Sequence, residues 1–163
     1  MTSTQKIVVM GVSGSGKTMM AQRLASILGL AFYDADDFHN PMNIAKMTQG
    51  IPLNDADREG WLNDLAGLIQ RESGLVLACS ALKISYRERL KAADPRLRFL
   101  YLKGSFDVIW PRLQQREQHY FHGEDMLHSQ FSQLEEPQAN EARIIDISGS
   151  PEVVLSRCLA SLS

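Results

Sequence analysis

The chain has 163 residues, of which 44% are hydrophobic and 22% are charged, a composition typical of a globular protein with one well-formed core. Lys and Arg total 17 and Asp and Glu total 19, so the formal net charge is −2. Because positive charge is not in excess, the composition argues against nucleic acid or an acidic membrane as partner, and a small molecule is expected.

Neither the N-terminal segment nor the cysteines indicate export. MTSTQK leads into an apolar run that is far too short for a signal peptide or a membrane span. The two cysteines, Cys79 and Cys158, lie in apolar surroundings and form no disulfide framework. We therefore expect a single domain over residues 1–163 in a reducing compartment, the cytoplasm.

Five short apolar segments alternate with longer segments of helical periodicity. The predicted strands are residues 6–10, 31–34, 75–79, 98–102 and 143–147. They are apolar almost throughout, as in a parallel sheet that is covered on both faces. Asn40, Ser105 and Ser150 have the character of helix caps, while Pro111 predicts a kink or a restart of its helix. The alternation predicts an α/β fold whose ligands bind at the carboxyl ends of the strands.

The segment after the first predicted strand is GVSGSGKT, residues 11–18. It matches G-x-x-x-x-G-K-[ST] in the strand-to-helix context that a phosphate-binding loop requires. Backbone N–H groups and the helix start attract phosphate, Lys17 can reach the β- and γ-phosphates, and the Thr18 hydroxyl can ligate Mg²⁺. The residues expected to bind ATP here are Gly11, Val12, Ser13, Gly14, Ser15, Gly16, Lys17 and Thr18.

The rest of the sequence favours a small kinase over other users of nucleoside triphosphates. A signalling GTPase would carry Asn-Lys-x-Asp after a later strand, and this chain has no such motif. A motor ATPase would have an apolar strand ending in an acidic residue, whereas the third strand here ends in ACSALK. A nucleotide-dependent switch or binding protein stays open as an alternative. The polar residues at three strand ends argue against it, since a switch needs no pocket for a second substrate.

The segment DADDFH, residues 34–39, follows the second predicted strand. Carboxylates at the mouth of a phosphate site can accept a proton from a hydroxyl or hold Mg²⁺ through water. The same segment could also be a solvated acidic turn in which Asp37 caps a helix. Because a hydroxyl that attacks the γ-phosphate needs a base nearby, we choose Asp36 for that role.

Five blocks spread over nearly the whole chain carry a family resemblance. They are MGVSGSGKT, residues 34–62, CSALKISYRERL, RLQQREQHYF and LHSQFSQLEEP. In this order and spacing they resemble the gluconate kinases, small relatives of shikimate kinase and the nucleoside monophosphate kinases. The resemblance implies a P-loop NTPase fold with a five-stranded, mostly parallel sheet, helices on both faces and a mobile lid at about 117–126. It also implies ATP-dependent phosphorylation of D-gluconate at its terminal hydroxyl to 6-phosphogluconate, with Mg²⁺ as cofactor. Members of the family are often homodimers.

A sugar acid needs a cation for its carboxylate and several hydrogen-bonding groups for its hydroxyls. Arg58 suits the carboxylate because a guanidinium can pair bidentately, and it looks like the substrate arginine of the family. The alternative for Arg58 is a surface ion pair with Asp55 or Glu59. The other expected substrate contacts are His39, Asn43 and Lys46, spaced to share a helix face, and Ser80 and Lys83 after the third strand. The same sequence pattern would also arise if these side chains were simply solvated and Ser80 capped the next helix.

Basic residues are expected to close over the phosphates, because the transferring phosphoryl group spreads charge over its oxygens. By similarity to the family, Arg112 packs on adenine and Arg116 reaches the phosphates in a catalytic role. Either could instead be a surface arginine. His119, His122 and His128 lack a second ligand pair nearby, so a polar lid is expected here rather than a zinc site.

The lid departs from the family pattern, which leaves a second enzymatic function open. Relatives usually have Gly-His-Phe where this chain has QHY at 118–120, and a glycine lost from a hinge could re-aim the lid. The alternative is therefore a kinase for another small sugar acid or a shikimate-like acid.

Overall fold

The structure is a computed structural model that describes residues 5–115 and 123–163. Its strands are β1 (Lys6–Met10), β2 (Ala31–Asp34), β3 (Leu75–Ala78), β4 (Arg98–Lys103) and β5 (Arg143–Asp146). They form one sheet in the order β2-β3-β1-β4-β5, and each neighbouring pair is parallel. The predicted α/β fold is confirmed, and each strand lies within one residue of its predicted bounds.

The helices follow the strands in alternation. They are α1 (Lys17–Leu28), a short 3₁₀ helix (Ala35–Phe38), α2 (Pro41–Thr48), α3 (Asp55–Arg71), α4 (Ile84–Ala93), α5 (Phe106–Gln114), α6 (Gly123–Gln133) and α7 (Pro151–Ser161). The three predicted caps are confirmed, because the side chains of Asn40, Ser105 and Ser150 each accept the backbone N–H three residues on. None of the helices in the described ranges has the length and apolar composition needed to cross a bilayer.

Helix α5 continues through Pro111 to Gln114, so the predicted restart of the helix is wrong. Pro111 is exposed on the helix surface. It removes one backbone bond, to the carbonyl of Asp107 in the first turn, and the flanking turns stay helical.

Two layers of helices cover the sheet. Ile7 and Val9 on β1 belong to a core shared with α1, α5, α6 and α7, whereas Val8 and Met10 belong to a core shared with α3 and α4. All five residues of β1 are buried. This two-sided burial explains the unbroken apolar run in the sequence.

The parallel sheet brings the predicted functional segments to one edge. The register pairs Val9 of β1 and Asp34 of β2 with the same residue of β3, Ala78. Just beyond, the Gly11 N–H donates to the Ser80 carbonyl at 3.3 Å. The glycine loop, the acidic turn and the segment after β3 are therefore neighbours. Of the predicted lid, residues 117–122 lie outside the described residues, and residues 123–126 begin α6.

Candidate active site

The loop after β1 has the backbone of a phosphate cradle. Gly16 is the N-cap of α1 with φ +90°, in the left-handed region that favours glycine. A Cβ built at Gly16 would meet no atom of residues 5–115 and 123–163 within 4 Å, so these residues leave space beside this helix start. A Cβ at Gly11, by contrast, would lie 2.7 Å from Ser15 Oγ, so glycine makes room for that side chain. A helix N-terminus that is capped by a glycine and not by a side chain fits a phosphate.

Two side chains of this loop support the same fit. Ser15 is 4% exposed, and its hydroxyl has no hydrogen-bond partner within the described part of the chain. An unsatisfied buried hydroxyl costs about 1–3 kcal/mol, so Ser15 suits a loop that is completed by a ligand. Lys17 Nζ lies 3.5 Å from the Val12 carbonyl, which keeps the ammonium against the loop.

Thr18 and Asp34 form the oxygen pair expected of a magnesium site. Thr18 Oγ1 donates to Asp34 Oδ2 at 3.3 Å. Across residues 5–115 and 123–163, no three His, Cys, Asp or Glu side chains are grouped to hold a metal ion by themselves. A Mg²⁺ that binds with substrate phosphates needs one or two protein ligands. The sequence reasoning did not single out Asp34, although its position at the carboxyl end of β2 was a usable signal.

Asp36 lies on the 3₁₀ turn directly after β2. Its backbone N–H donates to Asp34 Oδ1 at 2.9 Å, and the Trp61 indole N–H donates to the neighbouring Ala35 carbonyl at 2.7 Å. Burial raises the pKa of the Cys79 thiol to about 12, and the nearby charges of Asp36, Lys17 and Asp34 also act on it. The charges of these three groups therefore act on the residue that directly follows β3.

The suggestion that Asp37 caps a helix is wrong. Asp34 caps the 3₁₀ turn and Asn40 caps α2, so both helix starts are already satisfied. Asp37 is an exposed residue in the first turn of the 3₁₀ helix.

His39, Asn43 and Lys46 form a chain of contacts onto α3. His39 precedes α2, so its predicted place on a common helix face is wrong, and its ring stacks on Trp61 with centroids 4.6 Å apart. Asn43 Nδ2 lies 3.3 Å from His39 Nδ1 and donates to the Asp57 carbonyl at 2.7 Å. Lys46 pairs with the Asp57 carboxylate at 2.9 Å. Burial lowers the pKa of His39, which favours a neutral ring at pH 7.

Arg58 contacts Tyr86 rather than the acidic neighbours suggested by its helix spacing. Its Nη1 donates to the Tyr86 hydroxyl at 3.0 Å, and its guanidinium carbon lies 5.5 Å from the ring centroid. The Tyr86 hydroxyl in turn donates to Asp55 Oδ1 at 2.5 Å. Lys83 Nζ donates to the same Asp55 oxygen at 2.8 Å and lies 5.7 Å from the Tyr86 ring. We call Asp55, Arg58, Lys83 and Tyr86 the Tyr86 cluster.

The pKa values in this cluster reflect its hydrogen bonds. The bond from Lys83 holds the pKa of Asp55 below its ordinary value and, reciprocally, raises the pKa of Lys83. Burial raises the pKa of Tyr86, and the bond to Asp55 adds to this shift. Both ions of the pair and the neutral phenol are therefore favoured at pH 7. The sequence reasoning missed Tyr86, whose available signal was its place three residues after Lys83.

The segment after β3 is held by a buried arginine. Helix α4 begins at Ile84 with Lys83 at its N-cap, so the idea that Ser80 caps it is wrong. Ala81 has φ +46°, and its carbonyl accepts a bond from Arg87 Nη1 at 2.8 Å. Arg87 is 1% exposed and also pairs with Glu141 at 2.9 Å. These bonds fix the loop that carries Ser80 and Lys83.

Arg112, on α5, contacts the segment that follows β5. Its Nη2 donates to the carbonyls of Ile147 at 2.8 Å and Gly149 at 3.4 Å. Its predicted partner Arg116, together with His119 and His122, lies outside the described residues. His128 on α6, the third histidine weighed as a zinc ligand, stacks on the ring of Phe106 with centroids 4.2 Å apart.

Comparisons with known proteins agree with this geometry. The family model of shikimate kinase matches residues 13–163. The thermoresistant gluconokinase of Escherichia coli (strain K12) is 48% identical over 142 residues, 85% of this chain and 81% of that protein. A probable gluconokinase of Mus musculus is 46% identical over 156 residues, 83% of this chain and 84% of that protein.

Solved structures give the same picture. The crystal structure of a gluconokinase from Sinorhizobium meliloti 1021 has a TM-score of 0.91 at 37% identity and covers 98% of this chain and 91% of its own. A shikimate kinase from Aquifex aeolicus, at 19% identity and a TM-score of 0.66 over 97% of this chain and 96% of its own, shares the fold. The sheet order, the phosphate loop and these similarities lead to one conclusion: the chain belongs to the gluconokinases, within the shikimate kinase family.

Proposed function

We propose that this protein is a gluconokinase, which transfers the terminal phosphoryl group of ATP to the terminal hydroxyl of D-gluconate and yields 6-phosphogluconate. The observation that carries this proposal is that the Tyr86 cluster, with two cations, is built on α3 and at the start of α4, while Trp61 of α3 bonds the acidic turn and Ser80, just before α4, bonds the phosphate loop. The relatives named gluconokinase or probable gluconokinase, at 42–48% identity, support the same acceptor.

On the nucleotide side, the proposed ligands of the phosphates are the ammonium of Lys17 and the N–H groups of the loop over residues 11–18, apart from those of Gly11, Ser13 and Ser15, which already donate to other groups of the protein. Thr18 and Asp34 would hold Mg²⁺, which supplies positive charge that neutralises the phosphate oxygens. Arg112, anchored by two carbonyls beside the end of β5, is proposed to pack on adenine. Arg116 is proposed to stabilise the charge of the transferring phosphoryl group.

On the acceptor side, Arg58 and Lys83 are the proposed partners of the gluconate carboxylate. The planar guanidinium of Arg58 can bind it bidentately, and the ammonium of Lys83 adds a compact positive charge. Asp36 is proposed to orient the terminal hydroxyl and accept its proton, from a 3₁₀ turn whose backbone is bonded to Asp34. The proposed hydrogen-bonding groups for the remaining hydroxyls are His39, Asn43, Lys46 and Ser80.

A coupled ADP-release assay across gluconate, idonate, shikimate and nucleoside monophosphates tests the proposal. Gluconate is expected to give the highest kcat/KM. A clear preference for another acid would favour the second kind of kinase. ADP release that no acceptor raises above the water background would overturn the kinase proposal and favour a nucleotide-dependent switch.

The proposal includes the magnesium requirement and the homodimer that the family resemblance implies, and the cytoplasmic location expected from the two cysteines. Chelation by EDTA is expected to abolish turnover, and re-addition of Mg²⁺ to restore it. Light scattering of the purified chain measures its mass in solution against 18.3 kDa for one copy.

A further inference from the structure

The Tyr86 side chain contacts both cations of the acceptor pocket. Its hydroxyl accepts the bond from Arg58 at 3.0 Å and donates to Asp55, while its ring lies within 6 Å of both the Arg58 guanidinium and the Lys83 ammonium. Distances of this size allow cation–π attraction for both groups. One aromatic side chain therefore sets where two long, flexible cations lie.

The members of the Tyr86 cluster differ in how tightly they are held. Tyr86 is 6% exposed and belongs to the core between the sheet and helices α3 and α4. The side chains of Lys83 and Asp55 are 28% and 69% exposed. An exposed ion pair between long side chains is weakly fixed, because ordering them costs rotamer entropy. The buried tyrosine is thus the rigid part of the cluster.

The charges of the cluster match one carboxylate. Two cations, Arg58 and Lys83, face one internal anion, Asp55, which leaves an excess of one positive charge. The other lysine–aspartate pair of this face, Lys46 with Asp57, has no net charge, and its aspartate also forms the capping box of α3 with Asn54. The pair that joins Lys83 to Asp55 is the one coupled to Tyr86.

We propose that Tyr86 is a positioning residue for acceptor specificity: its hydroxyl aims the Arg58 guanidinium at the carboxylate of the acid substrate. This inference rests on the proposed gluconokinase function. The hydroxyl holds Arg58 from one side and is itself held by Asp55, so the guanidinium fork keeps one orientation. Without the hydroxyl, Arg58 keeps its charge and its contact with the ring but loses that orientation.

The test is Tyr86→Phe, which keeps the ring and removes the hydroxyl. The KM for gluconate is expected to rise about three- to tenfold, while kcat and the KM for ATP change less than about twofold. Titration calorimetry of gluconate binding in the absence of nucleotide is expected to show the same loss. Glucitol, which has an alcohol in place of the carboxylate, is expected to be used equally poorly by both proteins.

A double-mutant cycle separates positioning through Arg58 from other effects. In an Arg58→Ala background, Tyr86→Phe is expected to add less than about twofold to the gluconate KM, because the hydroxyl acts through Arg58. Tyr33→Phe is the matched control, since the Tyr33 hydroxyl bonds Glu72 at 2.7 Å, away from the cluster. This control is expected to leave the gluconate KM unchanged.

The outcomes separate this inference from the proposed function. If the wild type phosphorylates gluconate and Tyr86→Phe leaves the gluconate KM unchanged, the inference is overturned and the function stands. Additive effects in the cycle, or a joint loss of kcat, ATP binding and thermal stability, would also overturn it in favour of a structural role. A wild type that neither binds nor phosphorylates gluconate would overturn the proposed function itself.

Discussion

Thr18 and Asp34 are joined by a hydrogen bond of 3.3 Å between the first turn of α1 and the end of β2. The second carboxylate oxygen of Asp34 accepts the backbone N–H of Asp36 at 2.9 Å. One carboxylate therefore links the phosphate loop to the turn that carries the proposed base. This link fixes the position of the proposed magnesium ligands relative to the proposed base.

Replacing Asp34 with asparagine is expected to weaken the use of Mg²⁺. The neutral amide keeps the size of the side chain but loses the charge that would hold the cation, so activity at limiting Mg²⁺ should fall about ten- to a hundredfold. Steady-state rates over a Mg²⁺ titration measure the change. Asp37→Asn, the same charge change on an exposed neighbour, is the control, and an equal effect there would contradict the role of Asp34.

Replacing Asp36 with asparagine is expected to lower kcat by about 10²–10⁴-fold, the range for loss of a positioned general base. ATP affinity should change little, since the proposed phosphate contacts lie on the loop after β1. ADP release measures turnover and a fluorescent nucleotide measures binding. A comparable loss of both would show that the base is misassigned.

Gln130 on α6 should influence ATP binding through the phosphate loop. Its Oε1 accepts the Ser13 backbone N–H at 2.6 Å, so the side chain holds the loop from outside. Gln130→Leu should raise the KM for ATP about threefold, and Gln130→Glu should raise it further, because a carboxylate there repels the phosphates. Gln133→Leu on the same helix, whose amide bonds Ser129, is the control. A lower KM for ATP in Gln130→Glu than in Gln130→Leu would contradict the electrostatic argument.

Replacing Arg87 with methionine is expected to destabilise the fold by about 3–5 kcal/mol, because the change leaves Glu141 and the Ala81 carbonyl without their buried partner. Urea unfolding measures the change in the free energy of unfolding. Arg89→Met, on the exposed face of α4 where the arginine bonds Asn63, should cost less than about 1 kcal/mol. Equal losses for the two variants would speak against the proposed role of the buried pair.

Asp94 should make stability depend on pH in the acid range. Hydrogen bonds from Arg96 and then Lys6 hold the pKa of its carboxyl well below the ordinary value. Its stabilising contribution is therefore present above an ordinary aspartate pKa of about 4, and it is lost as the pH falls further toward the folded-state pKa. The unfolding free energy of the wild type should fall more steeply below pH ~4 than that of Asp94→Asn, while the variant should be less stable at pH 7. Parallel curves would contradict this assignment.

Local sequence determined much of this protein. The five strands were predicted from β-branched and apolar runs, and the first residues of the helices were predicted from capping residues such as Asn40 and Ser150. Both signals are local, because strand patterns and helix caps involve residues only a few positions apart. The glycine loop and the acidic turn were recognisable for the same reason. Their common location also followed from the sequence, because parallel strands place their carboxyl ends at one edge.

Tertiary structure alone decided which side chains meet. Arg58 and Asp55 each contact Tyr86, 28 and 31 residues away, and no periodicity in either helix specifies that partner. Lys46 and Lys83 look alike in sequence, yet each is paired with a different aspartate of α3, Asp57 and Asp55. The reason is physical: these contacts depend on how α2, α3 and α4 pack beside the sheet, and such packing is set by the shapes of distant residues rather than by local spacing.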